Sequence, residues 1–138
     1  MIFNKRINEA IVIMSELLSS EKYYFKELVP SMLEDKLAVV YVIYDKDTEE
    51  TLYVGRTKNL RRRLYTNHLM GPTTNARLKK YLIEDEGQSA ITDLQQAKRF
   101  IKEKCYFQYI AEPDMKKRGQ IEGLISFLLN VKYIHEEH

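Results

Sequence analysis

Between Leu52 and His68 the chain reads Leu-Tyr-Val-Gly-Arg-Thr-Lys-Asn-Leu-Arg-Arg-Arg-Leu-Tyr-Thr-Asn-His. Arg56, Lys58, Arg61, Arg62 and Arg63 put a dense positive charge in this stretch, and no acidic residue dilutes it. Guanidinium groups grip phosphate oxygens through paired N–H donors, so the chemistry on offer is phosphate recognition. A solvated helix face is the competing reading, because most runs of lysine and arginine are surface.

Something must position these groups. Leu52-Tyr53-Val54 reads as the end of a strand and Gly55 as a point where the backbone turns or lets a ligand approach. Thr57 or Asn59 can cap a following helix. Leu60, Arg63, Leu64 and Asn67 lie three and four apart, so they share one side, with Arg63 at the edge of the apolar stripe. Upstream, Leu37 to Tyr44 is rich in β-branched and aromatic residues and reads as a buried strand. With Thr51–Val54 it forms an antiparallel hairpin across the polar turn 45–50.

The spacing predicts helices over 3–19, 21–29 and 31–35 before this hairpin, with Pro30 ending the second. After the basic segment come a loop over 70–75 and a short helix over 76–84, in which Arg77, Lys79 and Lys80 are basic. A further helix runs to about 104, with Thr92 and Gln95 as a capping box. Cys105–Ala111 reads as a third strand, and 114–130 as a long helix with Ile121, Leu124, Ile125, Leu128 and Leu129 on its apolar face and Glu122 on its flank. The tail His135–His138 reads as a frayed end. The fold class is α+β: a small three-stranded antiparallel sheet flanked by helices, with residues 1–36 as an N-terminal helical extension and 37–138 as the functional domain.

The length of 138 residues fits one domain. No apolar run approaches membrane-spanning length, and the N-terminus lacks the apolar block of a signal peptide. Cys105 is the single cysteine, so no disulfide forms within the chain, and the expected compartment is the cytoplasm. Residues 1–50 hold six Lys/Arg against ten Asp/Glu, a net −4, whereas 51–138 hold sixteen against ten, a net +6. The basic remainder suggests a polyanionic partner.

The residues match a family pattern. The chain resembles the GIY-YIG nucleases, named for two tripeptides on adjacent strands. The second is Tyr53-Val54-Gly55 and the first Val39-Val40-Tyr41, with eleven residues between them. The family arginine eight positions after the second glycine is Arg63, and the glutamate of the later helix is Glu122. The resemblance covers about residues 38–134. Three positions depart from the pattern. Val39 replaces the first glycine, and Val131 replaces a common proline. Asn67 stands where some members carry a histidine, with His68 next.

The resemblance implies metal-dependent hydrolysis of a phosphodiester in nucleic acid, with DNA the expected polymer. Glu122 would ligate magnesium or manganese, which accept one carboxylate together with water and phosphate oxygens. Arg63 would hold the phosphate and offset charge in the transition state. Tyr41 and Tyr53 would line the site, with Tyr41 orienting or deprotonating the attacking water. A phenol of pKa ~10 needs nearby cations for that, a part open to Arg63, Arg56 and the metal. Arg56 would also contact phosphate. Gly55, Lys58, Arg61, Arg62, His68, Arg77, Lys79 and Lys80 are the candidate nucleic-acid contacts. A non-catalytic nucleic-acid-binding module on the same fold, or an interaction domain with an acidic protein partner, remain the alternatives.

Overall fold

The computed structural model describes residues 1–74 and 76–134. Asn75 of the 70–75 loop and the tail His135–His138 lie outside the described residues. Helix α1 (Ile2–Ser19) leads into strand β1 (Tyr23–Tyr24), a 3₁₀ turn at Phe25–Glu27 and another at Pro30–Met32. Strands β2 (Val39–Asp45) and β3 (Thr51–Thr57) follow, then a π-helix (Arg62–Leu69), α2 (Arg77–Glu84), α3 (Leu94–Lys104), β4 (Cys105–Ala111) and α4 (Met115–Leu128).

The antiparallel sheet has four strands, in the order β1-β4-β2-β3, rather than three. The added strand is Tyr23–Tyr24, which the apolar spacing assigned to a helix. Two aromatics fit a pleated surface better than a short amphipathic turn. Tyr23 stacks on Phe107 with ring centroids 5.3 Å apart, and Tyr24 lies 5.2 Å from Tyr106. The 31–35 helix is likewise only the 3₁₀ turn begun by Pro30. The capping box at α3 sits one residue later than its sequence signature. Asp93 is the N-cap and accepts from the Gln96 backbone N–H, while Gln96 Oε1 accepts from the Thr92 backbone N–H.

β2 is the central strand, and all seven of its residues are buried. Its pleat therefore feeds two cores. Val39, Tyr41 and Ile43 face a core closed by Leu60 and Leu64, by Leu78 and Leu82 of α2, and by Ala97 and Ile101 of α3. Val40, Val42 and Tyr44 face the other, closed by Leu17 of α1 and by Ile121 and Ile125 of α4. Val39, at the position of the first motif glycine, is a fully buried core residue in regular ladder opposite Thr57. The apolar faces of the outer helices are only partly used: Ile7, Ile11 and Leu18 of α1 and Leu128 of α4 are exposed.

β3 is an edge strand, paired on one side only. Directly opposed residues of antiparallel strands point the same way. Tyr53, Gly55 and Thr57, opposite Ile43, Tyr41 and Val39, thus face the π-helix side, whereas Val54 and Arg56 face the α4 side. The edge strand is the place where side chains from both layers can meet.

Candidate active site

Tyr41 stands at the middle of β2 with its phenol fully buried. Gly55 is directly opposite on β3. It is not a turn, as its sequence context suggested, but part of the strand, with no positive φ. Its role is space: a Cβ there would land in the Tyr41 ring. The glycine of the second tripeptide thus makes room for the tyrosine of the first.

The Tyr41 hydroxyl shares a 2.7 Å hydrogen bond with His68 Nε2. Tyr53, diagonal to Tyr41 on the same face, meets it with centroids 6.3 Å apart and meets the His68 ring edge-on at 5.2 Å. Burial holds the Tyr41 phenol well above the ordinary tyrosine value, with Tyr53 adding to the shift and Arg63 opposing it. Of the cations expected to lower it, Arg63 acts in that direction without prevailing. Desolvation outweighs Arg63. Burial also holds His68 well below the usual imidazole range, and Lys79 and Arg63 push it the same way. His68 is therefore a neutral imidazole. Its Nδ1 has no partner among the described residues, so Nε2 carries its one protein hydrogen bond.

The winding of the helix explains how His68 gets there. Residues 62–69 form a π-helix, in which hydrogen bonds span five residues instead of four. Met70 N–H donates to Tyr65 C=O in this manner at 3.1 Å. One extra residue per turn brings His68, five after Arg63, to the face that a residue four after would take in an α-helix. The sequence departure at Asn67 and His68 is absorbed by the backbone. Asn67 instead lines the cleft outside.

That cleft has a volume of about 680 Å³ and lies between the end of β3, the π-helix and the start of α4. Arg56, Lys58, Arg62 and Arg63 line it, and none of its lining residues is acidic. Arg118 of α4 also lines it, a residue the sequence reading did not single out. Its guanidinium is buried and donates to the carbonyls of Glu112 and Pro113, which fixes a positive charge in the cleft wall.

Glu122 approaches from α4, on the other side of the edge strand. It shares a cavity of about 290 Å³ with Tyr53, Arg77 and Tyr81. Its nearest cation is Arg56, with Nε 4.0 Å from Oε1. Burial raises the Glu122 carboxyl above its ordinary value, and Arg56 counteracts this. Among the described residues there is no cluster of three or more His, Cys, Asp or Glu side chains that would form a metal cage. A single half-buried carboxylate in this cavity fits a hard cation that keeps most of its waters; among the described residues no set of side chains fits a metal that requires several protein ligands.

The remaining sequence candidates divide. Lys58 and Arg62 reach the cleft. Arg61 does not serve as a cleft cation: its Nε donates to the Leu33 carbonyl at 2.9 Å and ties the 3₁₀ region to the helix. Lys80 is exposed on α2, away from the cleft lining. Lys79 has no exposed surface. Its Nζ donates to the carbonyls of Asn67 at 2.5 Å and His68 at 2.8 Å, so it is an internal clamp and not a nucleic-acid contact.

Comparison with curated proteins found no match, and comparison with solved structures found none. Residues 37–104 match the family model of the GIY-YIG catalytic domain. The matched span holds Tyr41, Tyr53, Gly55, Arg63 and His68; Glu122 lies beyond it. Together with the two tripeptides paired on β2 and β3, the match places the chain in the GIY-YIG nuclease superfamily.

Proposed function

We propose that this chain is a metal-dependent endonuclease that hydrolyses phosphodiester bonds in nucleic acid, with DNA as its substrate and Mg²⁺ or Mn²⁺ as its cofactor. The observation that carries this reading is the buried Tyr41–His68 hydrogen bond, 2.7 Å long, near Arg63, which lines a cleft rich in basic and free of acidic residues.

Each group has a definite part. Arg63, with Arg56, Lys58 and Arg62 around it, binds the phosphate backbone and offsets charge that builds on the phosphoryl oxygens. Glu122 would hold the metal ion, which when bound supplies Lewis-acid stabilisation of the leaving oxygen. Tyr41 is too high in pKa to lose its proton unaided at neutral pH. His68, neutral and in direct contact, offers the acceptor. As Tyr41 takes a proton from the attacking water, its own proton passes to His68 Nε2, so no free phenolate forms. Protonating the buried His68 is costly alone, and the phosphate anion in the cleft offsets that cost. Tyr53 packs against both rings and keeps the pair oriented.

The test is cleavage of supercoiled plasmid and of branched and single-stranded oligonucleotides with magnesium or manganese. Wild type should cleave, and Glu122→Ala and Arg63→Ala should not. Salt-sensitive binding with no cleavage of any substrate by wild type would replace this reading with that of a non-catalytic binding module.

A further inference from the structure

Lys79 is the buried charged group that the proposed chemistry leaves unused. It projects from α2 with no exposed surface, and its partners are two backbone carbonyls rather than a carboxylate. Burial and the nearby Lys98 push its ammonium down to about 8. A buried lysine in that position is expensive to keep.

The carbonyls it holds are those at the end of the π-helix. In an α-helix the His68 carbonyl would accept from residue 72, but that residue is Pro72 and has no N–H. The chain thus ends the helix with an orphan acceptor, and Lys79 Nζ supplies the missing donor. The Asn67 carbonyl receives Gly71 N–H at 3.2 Å as well as Lys79. Gly71 is packed so closely here that a Cβ would strike the carbonyls of Thr66 and Asn67. π winding over eight residues is rare and has poorer intrinsic stability than α winding. Relaxation to α winding would turn Asn67, four residues after Arg63, onto the face now held by His68. Tyr41 would then meet an amide, which cannot accept its proton.

We infer that Lys79 is a positioning residue: its ammonium, clamped on the Asn67 and His68 carbonyls, holds the π winding that delivers the His68 imidazole to Tyr41. The inference rests on the proposed nuclease reading only for its effect on rate; the clamp and the winding are structural.

The experiment compares wild type, Lys79→Met, Lys79→Arg and a deletion of the exposed Thr66, which leaves His68 four residues after Arg63. The first readout is by NMR: the Tyr41 hydroxyl proton shared with the His68 ring. The second is single-turnover cleavage. Lys79→Met should lose the shared-proton signal and slow cleavage about a hundredfold, the lower end of what a general base supplies, with substrate affinity unchanged. Lys79→Arg, which keeps donors for carbonyls, should restore much of both. Deleting Thr66 removes the need for π winding, so the deletion combined with Lys79→Met should keep the signal and the activity. Persistence of the shared proton in folded Lys79→Met overturns the inference whatever the cleavage result. If Lys79→Met fails to fold, the combined variant decides: folded with the signal supports the clamp, and unfolded overturns it. Absence of cleavage by wild type would instead count against the nuclease reading, and the NMR comparison would still test the clamp.

Discussion

The two flanks of edge strand β3 carry two different kinds of site. On the π-helix flank, Tyr41 and His68 are fully buried, hydrogen-bonded and immobilised by ring packing. On the α4 flank, Arg56 is half-exposed and Glu122 partly buried, and they meet only at 4.0 Å. The first is preorganised before any ligand arrives. The second is left loose, with its charged groups open to solvent and, in the proposed mechanism, to phosphate and a cation. Proton transfer depends on a fixed short distance in a dry place, whereas ion binding needs access and spare coordination. In the proposed mechanism, one strand thus separates the part that moves a proton from the part that handles charge.

The comparison can be broken first at Glu122. Glu122→Ala should abolish metal-dependent cleavage while leaving thermal stability close to wild type, because an intermediate surface glutamate contributes little to folding. Gly55→Ala should damage the buried flank in the opposite manner. The added Cβ collides with the Tyr41 ring, which has nowhere to go, so stability should fall by about 1–3 kcal/mol along with activity. A chemical denaturation curve beside a cleavage assay separates the two outcomes. Tyr41→Phe and His68→Asn should each slow single-turnover cleavage about 10²-fold or more with the fold kept, and the double variant should be little worse than either, since both break one proton path.

How far the sequence carried this account differs between the flanks. The hairpin, β4 and α4 were legible because their apolar periods of two and near 3.6 are long and bounded by polar turns. Tyr41, Tyr53, Arg63 and Glu122 were legible as a spaced set of residue types. The π winding was not. Leu60 and Leu64 are four apart, as any α-helix would place them, and the extra residue shows only when His68 is seen against Tyr41. Lys79 read as one of several basic residues on a short helix, because a sequence does not tell a carbonyl clamp from a solvated ammonium. Arg118 was missed for the same reason, and β1 because two aromatics are too short a signal for a strand. Gly55 was placed in a turn, since a glycine that makes room across a sheet looks the same in sequence as one that bends a chain.

The pH dependence sharpens the exposed flank. Burial raises the Glu122 carboxyl and Arg56 opposes it, so as pH falls the carboxylate takes up a proton earlier than an ordinary glutamate would. Activity should therefore decline on the acid side at a pH above the usual carboxylate range. Arg56→Ala removes the opposing charge and should shift that limb to still higher pH, as read from the rate profile of cleavage at subsaturating metal, where the free carboxylate titrates. The smallest effects belong to the cleft rim. Lys58→Ala and Arg62→Ala should each weaken binding uniformly across sequences and reduce the salt slope by about 1, whereas Lys80→Ala, outside the cleft, should leave both unchanged.

The central claim is that both flanks act on one bound phosphodiester. The most direct measurement is single-turnover cleavage of a DNA substrate by Tyr41→Phe and Glu122→Ala, with binding affinity measured on the same preparations. Both variants should bind DNA as tightly as wild type; Glu122→Ala should fail to cleave it and Tyr41→Phe should cleave it about 10²-fold or more slowly. Wild-type cleavage rates in either variant would contradict the account.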